Sequence, residues 1–84
     1  MVIVVEVVRI TIRGIEFEVT REDIIKAARR ITPERITRWY VEIEGVRYPI
    51  KQVVAEALGL RKLDFTTADA KRLLEKLGFK PERM

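Results

Sequence analysis

The chain has no cysteine, no histidine, no serine and no asparagine, and Gln52 is its one glutamine. Without cysteine there is no disulfide and no thiolate metal site. Without histidine the usual switch near neutral pH and the usual zinc ligand are both missing. Nucleophilic triads built from Ser or Cys with His cannot be assembled. Long apolar runs are also absent: the longest, Val2 to Val5, falls far short of the roughly 20 residues that a membrane helix needs. The start shows no basic n-region and no small-residue cleavage site, so a cytoplasmic protein is expected. The glycines stand singly at turns and helix ends, which rules out a glycine-rich phosphate loop.

What remains is a chain of 84 residues, 48% hydrophobic and 36% charged. That composition describes one folded domain, neither disordered nor membrane-embedded. At this length a lone core is marginal, so good packing or self-association must help. Heavy use of Lys, Arg, Glu and Ile with almost no amide side chains is a heat-adapted composition, as in a thermophile. The net charge of +4 is unevenly placed. The strand-like parts are slightly acidic and the helix-like parts basic, a segregation that points to a polyanionic partner.

Val8, Ile10 and Ile12 alternate with Arg9, Thr11 and Arg13, and Ile15, Phe17 and Val19 alternate with Glu16 and Glu18. A hairpin closing near Arg13-Gly14 follows. Upstream, Val2 to Val8 is apolar at both parities, which fits a strand bulged, buried on both faces or paired with another chain. Left as a bare edge it invites aggregation, and pairing across a two-fold axis to give a homodimer would cover it.

Thr20 with Asp23 reads as a capping box opening a helix that runs to about Ile31. Tyr40 to Glu44 and Val46 to Tyr48 form a second hairpin around Glu44-Gly45. Pro49 suits the first position of a helix ending at Gly59. Thr66 or Thr67 caps a last helix whose Ala70, Leu73, Leu74 and Leu77 make an apolar stripe. Gly78 and Phe79 fit a Schellman ending. The order is β-β-α-β-β-α-α, an α+β domain with antiparallel hairpins: an N-terminal hairpin (1–19), an α-β-β-α-α unit (20–79) and a frayed tail (80–84). The link between the last two helices is longer than that of a strict helix-turn-helix.

Glu42 and Glu44 share a strand face and could hold Mg²⁺, but alternation opposite Val41 and Ile43 explains them as an exposed face. No catalytic residue, cofactor or resident metal is expected. The basic residues are more informative. Arg29, Arg30, Arg35 and Arg38 run up to Trp39 and Tyr40, a mixture that can combine phosphate contacts with stacking, unless Trp39 is core and the arginines solvate its rim. On the last helix Lys71, Arg72 and Lys76 face outward, where Lys71 and Glu75 form a possible i, i+4 pair. Lys51 falls in the first turn of its helix, where the dipole disfavours a cation. Either it pairs with Glu34, Glu44 or another acid, or it faces an anion. The expected nucleic-acid contacts are Arg29, Arg30, Arg38, Lys51, Arg61, Lys62, Arg72 and Lys76 to phosphates, with Tyr48 or Trp39 meeting bases or sugars.

The run Gly45-x-Arg47-Tyr48-Pro49-x-Lys51, then Ala55-x-x-Leu58, Asp64-Phe65-Thr66 and Leu74-x-x-Leu77-Gly78-Phe79, resembles the N-terminal head domain of McrA-type modification-dependent HNH restriction endonucleases. It also resembles short stand-alone proteins with the same pattern. The resemblance covers about half of the chain. It implies a small α+β module linked to DNA recognition, with Tyr48, Lys51 and Asp64 at matching positions. No HNH motif is present, so nuclease activity does not carry over, and Thr66 and Thr67 stand where glycines commonly follow Asp-Phe. The sequence therefore leads to a non-enzymatic DNA-binding module, with a dimeric structural or protein-interaction module as the alternative.

Overall fold

The computed structural model describes residues 6–84. Two short hairpins flank a small helical layer. The first pairs β1 (Val7–Ile12) with β2 (Ile15–Thr20) in a two-stranded sheet. Its register sets Val8 opposite Val19 and Ile10 opposite Phe17, so one face is apolar and packs on the core. The strand begins at Val7, and the expected extension through Val2 to Val5 lies outside the described residues. Both hairpin turns place two consecutive residues at positive φ: Arg13 (52°) with Gly14 (76°), and Glu44 (52°) with Gly45 (80°). Positive φ at both central positions matches the right-handed twist of the flanking strands.

Helix α1 (Arg21–Arg29) starts on the expected capping box, with the Asp23 amide donating to the Thr20 hydroxyl and the Thr20 amide to the Asp23 carboxylate. It stops one turn's fraction before Ile31. Strands β3 (Trp39–Ile43) and β4 (Val46–Pro49) follow, with Val41 opposite Tyr48 and Tyr40 opposite Pro49. Pro49 ends β4 and caps α2 (Ile50–Leu58) rather than taking its first helical position, because its ψ of 132° is still extended. A single 3-10 turn (Lys62–Asp64) leads to α3 (Thr67–Lys76), whose Thr66–Asp69 capping box mirrors that of α1. The helix ends as a Schellman motif: the Phe79 amide donates to the Leu74 carbonyl at 2.9 Å and that of Gly78 to Glu75 at 3.0 Å.

The core is continuous. Ile24, Ala27 and Ala28 of α1, Ile50, Val53 and Val54 of α2, and Ala70, Leu73 and Leu74 of α3 close around Val19, Val41 and Ile43. α2 is the hub, touching both other helices and strands of both sheets.

One expectation is overturned. The tail does not fray: β5 (Glu82–Arg83) pairs antiparallel with β3, giving the order β4-β3-β5. The Met84 amide donates to the Arg38 carbonyl at 2.7 Å and the Tyr40 hydroxyl to Glu82 at 2.9 Å. The physical reason is the otherwise bare edge of β3, whose backbone groups accept whatever extended segment is tethered nearby.

Candidate nucleic-acid interface

A cleft of about 420 Å³ opens where the α1–β3 loop meets the start of α2. Its walls carry Arg35, Arg38, Trp39, Lys51 and Lys62. Local structure explains the gathering. Gln52 in the first turn of α2 reaches across the loop: its amide nitrogen donates to the Thr32 carbonyl and its amide oxygen accepts from the Glu34 backbone, both at 2.8 Å. This clamp lays residues 32–38 over the end of α2. Pro49 supplies no side-chain cap there, and no acid sits in the first turn of α2, unlike in α1 and α3. The amide groups at that end are therefore left to solvent or to an anion.

The electrostatics of the cleft are one-sided. Glu34 is its one acid, and Lys62 already holds it at 2.7 Å. Lys51 has no carboxylate within ion-pair range among the described residues; its ammonium stands 5.4 Å from the Phe65 ring. The two acids that could have neutralised it are taken, Glu34 by Lys62 and Glu44 by Arg29. Arg35 and Arg38 likewise have no ion-pair partner among the described residues.

Trp39 is half-buried and packs against the core. Two more cations converge on it from distant parts of the chain. The Lys71 ammonium of α3 lies 3.9 Å from the ring centre, and the Arg83 guanidinium of β5 lies at 6.0 Å. Lys71 thus turns to the indole instead of pairing with Glu75, while Arg72 takes Asp69 at 3.7 Å. Beyond Lys71 a second groove of about 390 Å³ runs along α3 between Ala68, Arg72, Glu75 and Lys76.

The expected contact residues divide accordingly. Arg38, Trp39, Lys51 and Lys62 meet in the cleft, and Arg72 and Lys76 lie along the neighbouring groove. The rest do not join them. Arg29 forms a two-pronged bond to Glu44 at 2.8 and 2.7 Å, which holds that carboxyl below its ordinary pKa and raises the guanidinium's. Arg30 bonds Glu56 at 3.1 Å. Arg61 is drawn to Asp64, whose carboxyl is held low chiefly by the Arg61 backbone amide. Tyr48 is a correction: it is 7% exposed and packs in the core. Its register partner is Val41, so the alternation that buries Val41 and Ile43 buries Tyr48 as well. Its ring cannot meet a base or a sugar.

Arg35, Lys71 and Arg83 belong to the cleft and its rim, though none stood among the expected contacts. For Lys71 the available signal was an outward lysine on a helix without a committed partner; for Arg83, hidden by the unforeseen β5, there was none. On the second sheet, Tyr40, Glu42, Arg47, Lys80 and Glu82 line one depression, where Glu82 accepts from Tyr40 and lies 3.9 Å from Lys80, and Arg47 stands 4.8 Å from the Tyr40 ring. Glu44 turns to Arg29, so it does not form a carboxylate pair with Glu42. Among the described residues no three acidic side chains converge as a metal site, and no helix is long and apolar enough to cross a membrane.

Comparison with known proteins adds one assignment. The model of the SCO5918-like family matches residues 8–84, so all but the first seven residues are covered, and the chain belongs to that family. No curated protein and no solved structure matches it.

Proposed function

For this member of the SCO5918-like family we propose a non-enzymatic role in binding nucleic acid, with DNA the expected ligand, through the cleft beside Trp39. One observation carries the proposal: cations without a carboxylate partner concentrate there. Arg35, Arg38 and Lys51 line the cleft, and Lys71 and Arg83 gather on the tryptophan at its edge. Elsewhere Arg9, Arg13, Arg29, Arg30, Arg61 and Lys80 each hold an acid within 4.0 Å, whereas Arg21, Lys26, Arg47 and Lys76 hold none among the described residues. A surface balanced only for solubility would pair the two groups alike. Like charges crowded around one concave site are stabilised by an anion, and phosphates that release counterions on binding serve best. The preference for DNA draws on the resemblance of the second half of the chain to McrA-type head domains; the charge distribution supports any nucleic acid.

The test is titration of labelled DNA, single-stranded and duplex, at low and at moderate salt. Micromolar or tighter binding that weakens steeply with salt is expected. No binding at micromolar protein in low salt would sink the proposal, and Arg38→Glu should weaken binding if the cleft is the site.

A second proposal, self-association through the N-terminal strand, has its own support. Val7 is 48% exposed and Ile15 57%, and β1 has no strand on its outer side among the described residues. Light scattering decides it: a strict monomer at high concentration removes it. The two proposals are compatible, since a dimer would present two clefts.

A further inference from the structure

We infer that the ligand is a single strand, and that the cleft and the α3 groove form one continuous track for it. The inference rests on the proposed nucleic-acid binding and specifies its ligand. Lys71 is the link. It lines the α3 groove, and its ammonium lies 3.9 Å from the ring of Trp39, which lines the cleft. Thr67 of the cleft and Lys71 are also one turn apart on α3. Cations therefore succeed one another along a bent path: Lys51 and Arg35, then Arg38, then Lys71 over Trp39, then Arg72 and Lys76. Three acids touch the path without closing it. Asp69 pairs with Arg72 at 3.7 Å. Glu34 at one end is held by Lys62, and Glu75 in the groove faces two lysines and an arginine.

The shape selects the strand. A duplex is a stiff rod that is read by an element projecting into a groove. Here Lys51, Arg35 and Arg38 line a cleft of about 420 Å³, too small to seat a duplex, with a half-buried tryptophan at its edge, and the outward face of α3 carries the cations on past Lys71 to Arg72 and Lys76. A flexible backbone can bend out of the cleft onto α3 and lay phosphates along successive cations, as in the basic grooves that track a single strand.

Trp39 is the only tryptophan, so its fluorescence reports events at the junction without a label. Oligothymidylates, from a dinucleotide to a decamer, and a decamer duplex should be titrated into the wild type, Lys51→Glu, and the Arg72→Gln, Lys76→Gln double variant. The expected result is a fluorescence change with single strands, an affinity that rises with length and then levels off, and duplex binding at least tenfold weaker. The double variant should bind the dinucleotide as the wild type does. For the single-stranded decamer it should lose affinity and lower the salt slope by roughly 1.4, about 0.7 for each lost phosphate. Lys51→Glu should weaken both lengths. Duplex binding as tight as single-strand binding, or a decamer affinity untouched by the double variant, overturns the single-strand track while leaving nucleic-acid binding standing. Absence of binding by every oligonucleotide overturns both.

Discussion

Lys51 shows most sharply how a residue's function can be separated from its role in the fold. Its ammonium has no acid partner among the described residues and approaches only the Phe65 ring, at 5.4 Å. The Phe65 ring is buried, but a half-exposed cation 5.4 Å from it contributes only about 1 kcal/mol, and the helix dipole works against it. Lys51→Glu should therefore leave the melting temperature nearly unchanged, while anion binding is abolished. A large drop in melting temperature would show that the side chain serves the fold. Tyr48, three residues earlier, should behave in the opposite way. The Tyr48 hydroxyl makes no hydrogen bond among the described residues, whereas its ring is packed in the core at 7% exposure. Tyr48→Phe should leave both stability and binding intact, whereas Tyr48→Ala should cost about 3 kcal/mol through loss of the ring's packing, read in urea unfolding. Loss of binding in a stably folded Tyr48→Phe would restore a ligand role to the hydroxyl.

The elements show what the sequence could and could not reveal. The first capping box, both hairpins and the Schellman ending were legible because each is written within a few consecutive residues, while the cap of the last helix was narrowed only to Thr66 or Thr67. Strand β5 was not, since Glu82-Arg83 has no periodicity of its own and forms only because β3 offers an edge. The ion pairs of Arg29 and Arg30 were hidden for a related reason: their acids lie 15 and 26 residues away, and only the packing of α1 against its neighbours brings them close. The cleft itself was half legible. Arg38, Trp39 and Lys51 stood out by residue type, but their convergence depends on the Gln52 clamp. Gln52→Ala changes no charge, yet it should release residues 32–38 and weaken DNA binding several-fold, with increased amide exchange confined to that loop. Unchanged binding would mean that the loop is held by other contacts. A second element-scale test concerns Gly78, at φ +85°, where an added Cβ would lie 3.1 Å from the Arg21 guanidinium. That guanidinium donates to the Leu77 carbonyl at 3.0 Å and covers the Phe79 ring at 4.2 Å, tying the start of α1 to the end of α3. Gly78→Ala should cost about 1–2 kcal/mol from the left-handed backbone alone, with a further loss from displacing Arg21. In an Arg21→Ala background that further loss should vanish, so the two changes should be less than additive. Strict additivity would show that Arg21 yields freely.

Across the whole molecule the missing histidines and cysteines become a property that can be measured. No side chain with an ordinary pKa near neutrality is present. The groups with shifted pKa values move away from neutrality. Glu44 is lowered by its bond from Arg29, Asp64 by the Arg61 amide, and Tyr40 is raised by donating to Glu82. For the two lowered carboxylates, folding is favoured above the unfolded pKa of about 4, and that contribution fades as pH falls through the lower folded values. For raised Tyr40 the contribution is complete below about pH 10 and fades as pH rises through the folded value. Stability should hence be flat between roughly pH 5 and 9, with one loss on each side. Asp64→Asn should shallow the acid limb, and Tyr40→Phe should shallow the alkaline one. The chain has no side chain with an ordinary pKa in that interval, so DNA affinity at fixed salt should be equally flat. Thermal melts and binding titrations across that interval check both together. A step in either near pH 7 would mean that a side chain titrates there with a pKa far from its ordinary value.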